Sequence, residues 1–390
     1  MNSMMKKNKY VSKSFWKDQS TAMSRINEYY GVYDDMINLS LGDPDIITPK
    51  PIIDAAFQDA YAGHTKYTEF RGDPELIAEI IRFYNKEYNI SISNEEILIT
   101  SSATTGMYLT LRAILDPGDE VIMQAPFFTP YPNQVRLAGG IPVEMATYEE
   151  EDFQINVERL RTLINERTKA LIICSPSNPT GNCLEEKTML EIAKIAEEND
   201  LIVISDEIYT SFVFQGKFRP FCSIGKMKER TVTINTFSKN FMMTGWRIGN
   251  IIGPREIIAA AGQINDSIVF TSPSISQRAA LHALKMRKDI QPSLVAEYKK
   301  RMEYAAKRIN RIPQMHVIYP PKGSFYLFIN IRKMNMTSEE AVDFLFHHAH
   351  VLTLPGNAFG KCGEGYIRIA CTVGVEKLKE AFNRIENVMR

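Results

Sequence analysis

SKNFMMTGWRIG, Ser238–Gly249, directly follows the apolar run Thr231–Thr236 and sets one lysine, Lys239, eight residues ahead of an arginine, Arg247. A lysine at the end of a buried strand is poised for covalent chemistry rather than for solvation. Burial and nearby positive charge disfavour its ammonium form, and a neutral amine can condense with an aldehyde. Arg247 then suits a phosphate carried by the same small molecule. SK or GWR alone would read as a surface lysine and a loop arginine after a core strand; the complete string separates the two readings.

On either side of this segment, short runs rich in Ile and Val alternate with helical patterns, the mark of a mainly parallel sheet wrapped by helices. Strands are predicted at Glu96–Thr100, Val121–Gln124, Ile141–Glu144, Ala170–Cys174, Leu201–Ser205, Thr231–Thr236 and Ile248–Ile252, a seven-stranded α/β sheet. Between two of them, Leu184–Asn199 carries Met189, Leu190, Ile192, Ala193, Ile195 and Ala196 at helical spacing, then stops at Asn199 and Asp200. From about Ile290 the pattern changes to a long charged helix, Leu294–Asn310, an alternating run, Ser324–Asn330, and a helix starting near Ser338. These features predict a large α/β domain over 49–288 and a smaller α+β domain over 289–390. Residues 1–48 lack a complete unit of their own and are expected to join the smaller domain.

The chain of 390 residues is 44% hydrophobic and 24% charged, enough to bury a large core. Basic and acidic residues both number 46, so no long-range field favours nucleic acid or an anionic membrane. Small molecules or a second copy of the chain are the expected partners. The five cysteines form no CxxC pair and read as reduced thiols of a cytoplasmic protein. The basic start, MNSMMKKNKYVSKSFWKDQS, has no apolar run behind it, and no segment reaches the roughly 18 apolar residues of a membrane span. Secretion and membrane insertion are therefore not expected. His347, His348 and His350 cluster near a predicted helix end without a carboxylate or cysteine pattern, and are read as that rather than as a metal site.

Several other strand ends carry polar chemistry. In ILITSSATTG a strand gives way to a helix at Ser102, Ala103 and Thr104, where free N–H groups could bind an anion. SPSNPTG, Ser175–Gly181, is a rigid loop presenting the Asn178 amide. DEIY, Asp206–Tyr209, puts a carboxylate where ligands gather in open parallel sheets. APFFTPY, Ala125–Tyr131, contributes aromatics. In GEGYIRIACTVG, strand alternation turns Arg368 away from Ile367 and Ile369, in the simplest case toward water.

Together these strings resemble the class I/II aminotransferases, pyridoxal-phosphate (PLP) enzymes of fold type I, from about Asn38 to Val373. The resemblance implies the following roles. Lys239 holds the cofactor aldehyde as an internal aldimine and then acts as acid and base. Ser102, Ala103, Thr104, Thr236, Ser238 and Arg247 hold the phosphate. Asp206 keeps the ring nitrogen protonated, Tyr209 and Asn178 donate to the phenolic oxygen, and Phe128 stacks on the ring. Arg368 binds the substrate carboxylate, with NLSLGDPD and its Gly42 closing over it. Tyr67, in KYTEFRG, reaches the partner's cofactor across a homodimer interface, although Glu69 stands where many relatives carry proline.

The implied reaction moves an amino group from an L-amino acid to a 2-oxo acid through pyridoxamine phosphate. A carbon–sulfur β-lyase of the same fold is the alternative, and it would release pyruvate and ammonia from a cysteine conjugate. A non-catalytic regulator would need a DNA-binding module, and the roughly forty residues before the first matched loop show no helix-turn-helix pattern. Phe128, Phe325 and Phe359 are expected to line an apolar substrate pocket; a dicarboxylate would need a second cation that the sequence does not place.

Overall fold

The computed structural model describes residues 9–12, 29 and 31–390; the rest of the basic N-terminal stretch, and with it most of the part of 1–48 assigned to the smaller domain, lies outside the described residues. The strands in chain order are β1 (Ile37–Asn38), β2 (Ile97–Thr100), β3 (Glu120–Ala125), β4 (Ile141–Ala146), β5 (Thr168–Cys174), β6 (Ile202–Asp206), β7 (Thr231–Thr236), β8 (Gly249–Ile252), β9 (Tyr326–Asn330), β10 (Val351–Leu352), β11 (Leu354–Pro355) and β12 (Tyr366–Ala370).

Seven of them form one sheet in the order β2-β8-β7-β6-β5-β3-β4. Every neighbouring pair is parallel except the two that involve β8. The exception has a simple cause. The link from β7 to β8 is the lysine segment itself, twelve residues at the lower limit of a parallel crossover and holding only the four-residue helix Phe237–Asn240 and one further turn, so the chain returns antiparallel. Strand β3 is buried along its whole length, and β5 from Ala170 to Cys174, because helices cover both faces of the sheet.

Strand β6 ends on Asp206, and Glu207, the next residue, turns to the opposite side. Asp206 faces a cavity at the strand ends, whereas Glu207 turns into the core, where its Oε1 accepts from Ser205 Oγ and the Phe221 N–H, each at 2.9 Å. Its Oε2 has no partner, and burial pushes the carboxyl from 4.5 up to about 7. A carboxyl with a raised folded pKa is stabilising while protonated, and that contribution is lost as pH rises through this window. Glu207→Gln is therefore expected to stabilise the protein by up to about 3 kcal/mol at pH 8 and by little at pH 4. Denaturant unfolding at the two pH values measures the difference.

The smaller sheet, order β11-β12-β9, is antiparallel, and β1 pairs in parallel with β10. Ile37 and Leu39 pack in the same core as Tyr298, Met302, Leu345 and Phe382, so the segment after residue 36 is bound to C-terminal elements. The long helix spans Arg287–Ile309, beginning seven residues before the expected Leu294. Pro292 marks a stop in the sequence, but in the second turn it removes only one hydrogen bond, and the helix runs on through it. The division expected at 288/289 falls inside this helix.

The histidine cluster does end a helix, Ser338–Ala349, with His350 at its left-handed cap. His350 Nδ1 lies 2.6 Å from Asp35 and His347 Nδ1 lies 2.9 Å from the Tyr33 hydroxyl. No group of three metal-ligating side chains occurs among the described residues. All five cysteines are free thiols, and no helix among the described residues is long and apolar enough to cross a membrane.

Candidate active site

A cavity of about 250 Å³ opens at the carboxyl ends of the parallel strands. One wall is the junction after β2. Ser102 caps the helix Ala103–Ile114 by accepting from the Thr105 N–H at 3.1 Å, leaving the Ala103 and Thr104 amides at the cavity. Ser102 sits at φ +140°, a strained angle for a residue with a side chain. Gly249 permits this path: a Cβ there would stand 3.0 Å from both the Ser102 carbonyl carbon and the Ala103 nitrogen. Thr236, Ser238 and Arg247 complete the cradle. Thr236 Oγ1 lies 3.0 Å from Ser238 Oγ, and Arg247 is held at φ +53° with its guanidinium donating to the Thr244 carbonyl at 2.8 Å. Convergent amides, hydroxyls and one arginine at a helix N-terminus form an anion site.

Lys239 Nζ projects into the same cavity and donates to the Gly42 carbonyl at 2.6 Å. Burial, opposed by Asp43 and reinforced by Arg247 and Arg368, lowers its ammonium to about 8. A useful fraction of neutral amine is thus present near neutral pH. Asp206 lies across the cavity. Its Oδ2 accepts a short hydrogen bond from the Tyr131 hydroxyl, and burial raises its carboxyl to about 6 against that bond and the Ile208 N–H. Its Oδ1 is buried with no partner. A buried carboxylate oxygen left bare is costly, and a protonated ring nitrogen would satisfy it. Phe128 lines the cavity, while Phe127 belongs to the core as expected.

Three residues named for the site, Arg368, Asn178 and Tyr67, do not line this cavity directly. Arg368 does not face water: it is fully buried. Strand β12 lies in the middle of its sheet and the segment 38–42 covers its second face, so alternation leads from one interior to another. Its guanidinium donates to Asn178 Oδ1 at 3.1 Å and to the Ser40 carbonyl, and lies 4.5 Å above the Tyr326 ring, just behind the cavity wall. Asn178 is likewise buried beside it rather than on the wall. Tyr67 is 82% exposed, edge-on to Phe270 at 5.0 Å and away from its own chain's cavity.

The apolar pocket expected from Phe128, Phe325 and Phe359 keeps only Phe128. Phe325 packs on Tyr298 and Phe212 with its ring centroid 5.8 Å from Lys239 Nζ, and Phe359 packs on Phe328 with the Arg368 guanidinium 5.0 Å away, so both back the site without lining the cavity.

Tyr131 and Tyr326 carry weight that sequence reasoning did not assign. The Tyr209 hydroxyl donates to that of Tyr326 at 3.2 Å, and Tyr326 in turn requires Gly42, since a Cβ there would overlap its hydroxyl. Tyr131 lay within the quoted APFFTPY string, and its signal was the single tyrosine after a proline turn; nothing local marked Tyr326.

A sheet of this order, with a lysine, a bare carboxylate and an anion cradle at one cavity, defines a PLP enzyme of fold type I. The comparisons with known proteins agree. The family model "Aminotransferase class I and II" matches residues 34–385, and the chain belongs to this family. It is 41% identical over 360 residues to the aspartate aminotransferase of Pyrococcus abyssi, covering 91% of this chain and 92% of that one. The aromatic aminotransferase structure from Pyrococcus horikoshii superposes with TM-score 0.89 at 37% identity, covering 94% and 98%. The Thermus thermophilus aspartate aminotransferase with maleate gives TM-score 0.90 at 31% identity, covering 95% and 97%. The protein is a PLP-dependent aminotransferase acting between an amino acid and a 2-oxo acid.

Proposed function

We propose that Lys239, Asp206 and Arg368 divide the work of transamination, and that the donor is an amino acid with an aromatic or large apolar side chain. The observation that carries the assignment of roles is the pair of unpartnered buried atoms, Asp206 Oδ1 and Arg368 Nε. When bound, PLP supplies an aldehyde that condenses with amines and a protonated ring that withdraws electrons from the substrate α-carbon. Asp206 holds the ring nitrogen's proton, and the 102–104 amides with Thr236, Ser238 and Arg247 hold the phosphate. Arg368 exchanges the Ser40 carbonyl for the substrate carboxylate and brings Nε into a bidentate pair. Lys239 Nζ would take the α-proton as general base and give it up again as general acid.

Support for the side-chain preference comes from the cavity wall. Leu41, Met107, Phe128 and Ile208 line it, and its only cations among the described residues are Lys239 and Arg247, both already engaged. Aspartate is the second reading, favoured by the name of the Pyrococcus abyssi relative and by the maleate bound to the Thermus thermophilus enzyme. A panel of amino acids mixed with holoenzyme, followed by loss of the aldehyde-form absorbance, decides between them. Conversion by phenylalanine and tyrosine well ahead of aspartate is expected; the reverse order overturns the preference.

A homodimer with shared sites belongs to the same reading. Tyr67 and Phe270, in edge-on contact at 5.0 Å, leave 82% and 46% of their surface exposed, apolar surface that a partner subunit would cover. Mixing Tyr67→Ala with Lys239→Ala chains is expected to restore part of the turnover each lacks alone, because one hybrid site regains both residues. Absence of any recovery speaks against sharing. A cytoplasmic location, supported by the five unpaired thiols, and the two-part division at 48/49 and 288/289, supported by the β1–β10 pairing, complete the proposal.

A further inference from the structure

A second cavity, of about 670 Å³, lies on the other side of the short helix Phe237–Asn240. Ser238 and Lys239 face the active site, Phe237 and Asn240 face this second space, and Thr236 borders both. Its size is in the range of ligand sites rather than of packing defects.

The lining has three parts with distinct chemistry. Asn250, paired across the strands with Asn235, is 3% exposed, and its Nδ2 has no hydrogen-bond partner. A buried amide left unpaired costs free energy that a polar ligand atom would recover, whichever way the amide turns. Tyr88 and Phe218 form an aromatic wall, their rings edge-on at 5.9 Å, with Tyr84 edge-on to Tyr88 at 5.4 Å. At the mouth, Arg287 is paired with Glu87, the only acid in the lining among the described residues. Lys217 and Lys288 are exposed and form no ion pair among the described residues, so the opening carries uncompensated positive charge.

We propose that this cavity is a second ligand-binding site, separate from the active site, for a planar aromatic carboxylate with a polar ring substituent. The ring lies against Tyr88 and Phe218, the substituent meets the Asn250 amide, and the carboxylate sits between Lys217 and Lys288. An aromatic face, one buried amide and two lysines form the complement of such a molecule. A neutral ring would forgo the lysines, and an aliphatic acid would forgo the wall.

The test uses 4-hydroxybenzoate titrated calorimetrically into the PLP-loaded enzyme. Saturable binding is expected, equal in wild type and in Arg368→Ala, since the active-site arginine plays no part. Lys217→Glu combined with Lys288→Glu is expected to weaken it at least about tenfold while leaving turnover unchanged, and Asn250→Leu about fivefold. The neutral analogue 4-hydroxybenzamide should bind at least about tenfold more weakly than the acid. No saturable binding up to the order of 10 mM overturns the proposal, as does binding lost in Arg368→Ala but kept in the double lysine variant. Equal affinity for acid and amide also overturns it.

Discussion

Lys239→Ala is expected to fold, to bind PLP through the phosphate cradle, and to lose at least about 10⁴-fold in kcat. The side chain makes one hydrogen bond, to the Gly42 carbonyl, so its removal leaves the surrounding segment anchored through Thr236, Ser238 and Asn240. Two functions disappear with it. The cofactor loses its covalent anchor, and the α-proton loses the only amine that the described residues place in the cavity wall. Neither Tyr209 nor Tyr326 can replace that base, because burial drives both phenols above their usual range. Steady-state turnover with the best donor amino acid measures the first effect. Borohydride treatment followed by peptide mapping measures the second: a pyridoxyl adduct on Lys239 in the native protein and none in the variant. Turnover within about tenfold of wild type would end the assignment of Lys239 as acid and base.

For Arg368→Ala the expected change is in substrate binding, with KM for amino acids raised roughly 100-fold and the cofactor absorbance intact. The magnitude follows from the loss of a bidentate pair, whose charge-assisted hydrogen bonds contribute about 1.5–3 kcal/mol each net of water, the lower end for two bonds corresponding to roughly 100-fold. Arg368 also has structural work. It bonds Asn178 and the Ser40 carbonyl and covers the Tyr326 ring, so alanine opens a buried cavity as well as removing a charge. Arg368→Lys separates the two contributions, since lysine fills much of the space and keeps the charge but offers no planar fork. It is expected to hold the melting temperature near wild type while KM stays raised. An unchanged KM in the alanine variant would show that the carboxylate is bound elsewhere.

The parts of the site legible in the sequence are those made by neighbours along the chain. Lys239, Ser238, Thr236 and Arg247 lie on one strand–turn–strand segment, and Ser102 to Thr104 open one helix; short spacing alone brings their groups together. The parts that stayed illegible join distant segments. Tyr131 reaches Asp206 across 75 positions, Tyr209 reaches Tyr326 across 117, and Arg368 reaches Ser40 across 328. Alternation in YIRIA tells which way the arginine turns, but whether water or protein waits there depends on a loop hundreds of residues earlier. The long helix shows the converse: Pro292 is a local stop signal that tertiary packing overrides at the cost of one hydrogen bond.

The order of strands and helices, the seven-stranded α/β sheet and the lysine–arginine segment were determined by sequence, because hydrophobic periodicity and turn chemistry act over a few residues. Tertiary structure alone decided that Arg368 is interior, that Phe325 and Phe359 belong to cores rather than to the substrate cavity, and that Asp206 and Arg368 each keep one unpartnered atom. Burial and hydrogen-bond satisfaction are properties of the space around a group, and that space is filled by residues far away along the chain.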